Sequence, residues 1–179
     1  LPLAKVTFKA YVDSLLDLLD RIDAPVTLVG HSMAGLVVSE VAARRPLIVA
    51  RLVYLCAYLP RDGESLFDLV ALNRSHEPFT AIELAIQVSD DKRSCTIEAD
   101  QILPLFYPLA APDVAQSAMM NFGTQAMLPL ATKVQLDEGG WAQVVEPDKL
   151  SNALVEAPIA GIAQPSQREL LAPYPEKYF

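Results

Sequence analysis

Between Thr7 and Ile22, apolar side chains recur every three or four positions: Phe8, Val12, Leu15, Leu16, Leu19 and Ile22. Lys9, Asp13, Asp17 and Asp20 fall mostly between them. This spacing predicts an amphipathic helix with one face in the core, and Thr7 is placed to cap it. Ala24-Pro25 ends the pattern. Val26 to Val29 is a short unbroken apolar run, which predicts a buried strand. A second helical pattern covers Met33 to Arg44, with Leu36, Val37, Val41 and Ala42 on its apolar side and Pro46 just past its end. Leu52 to Ala57 is another unbroken apolar run. It predicts a strand of a parallel sheet covered on both faces, with Cys56 as a small core residue. The order helix, strand, helix, strand predicts an α/β fold in which the two strands are parallel neighbours joined by a right-handed crossover.

After Leu59 the pattern changes. Pro60-Arg61-Asp62-Gly63 has the composition of a turn. From Ser65 to about Leu130, helical patches alternate with Pro78, Pro104, Pro108, Pro112 and Pro129. No clear strand interrupts them, apart from one short extended piece at Ser94 to Ile97. From Asp137 onward come Gly139-Gly140 and then Pro147, Pro158, Pro165, Pro173 and Pro175. That spacing predicts an irregular tail.

The 179 residues are 52% hydrophobic, and mean hydropathy is +0.26, so the chain has enough apolar material for a real core. The net charge of −8 argues against nucleic acid or an anionic membrane as a partner. No run approaches the ~18 uninterrupted apolar residues of a membrane span. No signal peptide is visible, and Cys56 and Cys95 do not form a disulfide framework, so a cytoplasmic location is expected. His31 and His76 are too isolated for a metal site.

The chemistry concentrates where the first strand meets the second helix, in VTLVGHSMAG, Val26 to Gly35. A serine raised on a tight strand-to-helix turn needs small neighbours on both sides, so that strand and helix can pass closely. Gly30 and Ala34 flank Ser32 by two positions, and Gly35 follows. The G-x-S-x-G pattern of such elbows appears here as G-H-S-M-A-G. An ordinary corner, whose serine only caps the helix, is the alternative.

LVGHSMAGLVVSEVAARRP followed by RLVYLCAYLPRDGESL resembles the α/β-hydrolase superfamily, and within it the methylesterase and hydroxynitrile-lyase-like esterases. The resemblance covers about residues 6–134 and is strongest from Val26 to Leu66. It implies a partial α/β-hydrolase fold: a core piece over 1–60, a helical cap over 61–135 and a divergent tail over 136–179. It implies Ser32 as nucleophile and the backbone N–H of Met33 as an oxyanion donor. The substrate expected is a small apolar ester, with no cofactor or metal. Neither nucleic acid nor a membrane is expected as a partner, and a homodimer is an open option.

A serine nucleophile needs a histidine base and a carboxylate to orient that base, in the chain order Ser, acid, His. No histidine lies beyond His76. His76, in LNRSHEPF, reads first as a surface-loop histidine and is kept as the candidate base. Asp62 reads first as a turn former and is kept as the candidate acid. A truncated or frameshifted copy accounts for the missing parts, so the chain is expected to be catalytically incomplete. The alternatives are a degenerate, non-catalytic binding protein and a hydroxynitrile-lyase-like activity. The lyases resemble G-E-S-C-G at the corner, so His31 and Met33 favour the esterase.

Overall fold

The computed structural model describes residues 3–74 and 81–136. The predicted tail and His76 lie outside them. The chain divides into two compact units. Of the described residues, one unit contains 3–18, 60–74 and 81–134, and the other contains 19–59 and 135–136.

The strand–helix–strand pattern of the second unit folds as its hydrophobicity dictates. β1 (Val26–Ser32) and β2 (Val49–Ala57) pair in parallel, with Val26 beside Val49 and Ser32 beside Ala57. A parallel pair requires a crossover. α2 (Ala34–Arg44) supplies it and packs on both strands. Both strands are longer than their apolar runs, because Gly30-His31-Ser32 on β1 and Val49 and Arg51 on β2 also take ladder positions, with Ala50 left as an extra residue between the last two. α2 is the most buried element, with Gly35 through Ala43 all inside.

The sheet corrects one sequence expectation. Leu28, Gly30, Leu52 and Tyr54 face inward, whereas Thr27, Val29, His31, Arg51 and Leu55 are exposed. The face carrying Val29 and Leu55 is therefore open, and they are 58% and 46% exposed. An unbroken apolar run does not by itself reveal how many faces are covered. Cys56 is corrected with it. The register steps from His31–Leu55 to Ser32–Ala57, which leaves Cys56 as an extra residue on β2. It takes a left-handed φ of 44° and is exposed, not a core residue.

Glu40 is buried on α2. One of its oxygens accepts from Arg44, and the other accepts the Gln135 backbone N–H at 2.9 Å. A carboxylate inside an apolar helix face is tolerable only with such partners.

The first unit begins with a 3-10 turn (Leu3–Lys5) and α1 (Phe8–Leu19). The Thr7 hydroxyl accepts the Ala10 N–H at 3.1 Å, as a cap does. Phe8 and Val12 are buried, and Lys9 pairs with Asp13 on the outside. Beyond Pro60 come α3 (Leu66–Arg74), α4 (Ala81–Ala85), β3 (Ile86–Val88), β4 (Ser94–Ile97), α5 (Ala99–Phe106), α6 (Pro112–Met120), β5 (Gln125–Ala126) and α7 (Leu128–Ala131). The region is mainly helical. Yet β3, β4 and β5 form an antiparallel sheet, where the sequence suggested only the extended piece at Ser94 to Ile97. Strands of two to four residues are too short to display an alternation. The prolines are also less disruptive than expected. Pro112 and Pro129 sit in the first turns of α6 and α7, where a missing N–H costs nothing, and among the described residues only Pro104 lies in a helix interior.

Candidate active site

The site is built at the junction of β1 and α2. Ser32 closes β1 with φ 52°, a left-handed conformation that costs a non-glycine residue on the order of 1–3 kcal/mol. Met33 returns at once to helical angles (φ −56°, ψ −28°) and is the N-cap residue of α2, with no side-chain cap hydrogen bond. Ser32 therefore does not cap the helix.

Close passage explains the small residues. A Cβ on Gly30 would lie 2.9 Å from the Ala34 carbonyl oxygen and from a methyl of Val38. One on Gly35 would lie 2.1 Å from the Tyr58 carbonyl oxygen and 3.2 Å from the Ala57 Cβ. The Tyr58 N–H, in turn, donates to the Ser32 carbonyl at 3.2 Å. The corner is thus clamped to the chain leaving β2.

The first N–H groups of a helix have no carbonyl of their own helix to bond. In α2 the first turn closes with the Leu36 N–H on the Met33 carbonyl at 3.1 Å. The N–H groups of Met33, Ala34 and Gly35 precede that bond, directly after the Ser32 hydroxyl in the chain. A hydroxyl beside unspent N–H groups at a helix start is the arrangement that acyl transfer uses.

Behind the corner, the Ser39 hydroxyl donates to the Gly35 carbonyl at 2.7 Å and lies 2.7 Å from the Tyr54 hydroxyl. A carbonyl can only accept, so the Ser39 proton is committed to it and Tyr54 donates to Ser39. Burial pushes the Tyr54 hydroxyl well above its ordinary 10.0, with the Ser39 contact a smaller opposing influence. Sequence reasoning passed over this pair. The signal was available: Ser39 is four residues after Gly35, on a helix with no other hydroxyl, and Tyr54 is the one polar-tipped residue inside the second apolar run.

His76 lies outside the described residues. His31 is exposed on the opposite sheet face from Gly30. Asp62 belongs to the other unit, in a turn where Gly63 has φ 74°, the Glu64 N–H donates to the Arg61 carbonyl and the Glu64 carboxylate accepts the Arg61 N–H. Among the described residues, no group of His, Cys, Asp and Glu is arranged to hold a metal ion. None of their helices is long and apolar enough to cross a membrane.

The model of the alpha/beta hydrolase family matches residues 3–173, which extends well past residue 134. An alpha/beta hydrolase of Aspergillus novofumigatus, nvfD, is 31% identical over 115 residues, 60% of this chain and 43% of that protein. A separate local likeness of 39 residues, 64% identical, links 22% of this chain to 5% of aminopeptidase N from Streptomyces lividans. Among solved structures, a pyrethroid hydrolase from Sphingobium faniae aligns with TM-score 0.59 at 22% identity, covering 76% of this chain and 55% of its own. Polyneuridine aldehyde esterase aligns with TM-score 0.59 at 20% identity, covering 72% and 55%. The chain spans about half the length of these structures.

Proposed function

Because the chain belongs to the alpha/beta hydrolase family, we propose that it is of the carboxylic-ester hydrolase type, with Ser32 as nucleophile acting on small apolar esters. The observation that carries the reading is the left-handed Ser32 between a parallel strand and a helix start. Two solved structures of the same fold, a pyrethroid hydrolase and polyneuridine aldehyde esterase, bear names that agree with it.

In the proposed reaction the Ser32 oxygen attacks the ester carbonyl carbon, and its proton passes to a base. The carbonyl oxygen takes up negative charge beside the Met33 N–H. Collapse expels the alcohol, which takes back a proton, and leaves an acyl-serine. Water then releases the acid and restores the hydroxyl. His76 and Asp62 remain the proposed base and acid. No metal or redox group enters these steps.

The second reading is a non-catalytic member of the family. It is favoured by the lack of a histidine beside Ser32 among the described residues, where His31 points to the other face. The test is labelling by a fluorophosphonate, followed by peptide mapping, beside hydrolysis of a chromogenic short-chain ester. Labelling at Ser32 and turnover lost in Ser32→Ala support the esterase. An unlabelled Ser32 with no turnover supports the non-catalytic reading.

A further inference from the structure

Two constraints meet at one peptide group, and only one of them is steric. Gly35 is pressed against the Tyr58 carbonyl, and its own carbonyl accepts from Ser39, which accepts from Tyr54. Tyr54 lies on β2, opposite Gly30 of β1. Ser39 is fully buried and Tyr54 is 5% exposed. The relay therefore runs from β2, through buried side chains, to the first turn of α2. It ends within three residues of Ser32.

We propose that Tyr54 is a positioning residue: its hydroxyl, acting through Ser39, fixes the first turn of α2 and with it the N–H groups that follow Ser32. This rests on the reading of Ser32 as nucleophile. Two properties suit Tyr54 to the task. Its protonated hydroxyl is a donor of fixed direction, because the Ser39 proton is already committed. Tyr54 is buried, so the donor is held away from solvent. A serine bonded back to the carbonyl four residues earlier ordinarily bends a helix slightly. Here the tyrosine proton locks that bend in one state, at the one turn whose geometry matters for an oxyanion.

The test compares the purified chain with Tyr54→Phe and Ser39→Ala by residue-resolved amide exchange and by fluorophosphonate labelling. A lost hydrogen bond at one turn is expected to speed exchange of the Leu36 amide about five- to tenfold, with the β1–β2 ladder unchanged. Labelling of Ser32 is expected to slow about tenfold in both variants. Uniform acceleration through α2 and the ladder would mark Tyr54 as merely structural and overturn the proposal. So would an unchanged Leu36 amide, or unchanged labelling despite faster local exchange. A Tyr54→Phe chain that fails to fold leaves Ser39→Ala to decide by the same local criterion. If Ser32 of the parent chain takes no label, the nucleophile reading fails, and the exchange pattern still decides whether Tyr54 holds the turn.

Discussion

Gly35 and Tyr58 approach so closely that the smallest side chain at Gly35 would place its Cβ 2.1 Å from the Tyr58 carbonyl oxygen. Both atoms that would collide are attached to backbone that has other obligations. The Tyr58 N–H is bonded to Ser32, and the Gly35 carbonyl to Ser39. Neither side can give way without opening the corner.

A graded glycine series follows. Gly35→Ala should destabilise by about 3 kcal/mol or more, at the severe end of overpacking. Gly30→Ala, with contacts at 2.9 Å to Ala34 and Val38, should cost about 1–3 kcal/mol. Gly123→Ala meets nothing within 4 Å and should be neutral within about 0.5 kcal/mol. Urea titrations of the three variants would check the order. An equal cost at Gly35 and Gly123 would refute the close passage.

Strain at Ser32 predicts an inversion of the usual alanine preference. In ordered structure glycine is ordinarily less stable than alanine by roughly 0.5–1 kcal/mol. At φ 52° the alanine keeps the Cβ conflict and the glycine removes it. Ser32→Gly should therefore be more stable than Ser32→Ala by about 1 kcal/mol. Thermal unfolding of the two variants measures the difference directly.

Removing the Glu40 carboxylate should be costly. Glu40→Ala leaves the Gln135 N–H without its acceptor and Arg44 without its ion-pair partner. A loss of about 2 kcal/mol is expected, typical of a hydrogen bond to a charged group. Denaturant unfolding gives the number, and a change below about 0.5 kcal/mol would contradict the anchoring.

The two thiols should behave oppositely. Cys56 is exposed and should react with a disulfide reagent in the native chain, whereas Cys95 should react only on unfolding. Burial raises the Cys95 thiol above its ordinary 9.0. Folding therefore favours the protonated form. That contribution is complete below pH 9.0 and is lost as pH rises above it, when the unfolded chain ionises first. Cys95→Ser should flatten this alkaline loss, and a stability profile from pH 8 to about 10.5 would reveal it.

At the acid end, the cap of α3 is the sensitive element. The Ser65 N–H and hydroxyl both donate to the Asp68 carboxylate at 2.8 and 2.6 Å, and these bonds hold Asp68 below its ordinary 3.8. A depressed carboxylate stabilises the fold above its unfolded value, and the effect disappears as pH falls through the folded one. The wild type should thus lose stability more steeply than Asp68→Asn below about pH 4. Parallel slopes would show that the cap carries no linkage.

Local sequence pattern was enough for the α/β order, the capped first helix and the place of the serine. Each rests on local rules: a 3.6-residue period at Phe8, Val12 and Leu19, an apolar run before Gly30, small residues around Ser32. The family likeness was legible in the same stretch. Tertiary structure alone decided the rest, because those features depend on which residues meet across the chain. Leu52 to Ala57 reads as buried throughout, yet among the described residues Leu55 and Cys56 stay exposed. The bulge that turns Cys56 outward arises from a register step against His31, which no single strand encodes. Ser39 and Tyr54 are ordinary residues until folding brings them to 2.7 Å. Gly35 looked secondary to Gly30 and Ala34 until the carbonyl of Tyr58, 23 positions along the chain, came to lie over it.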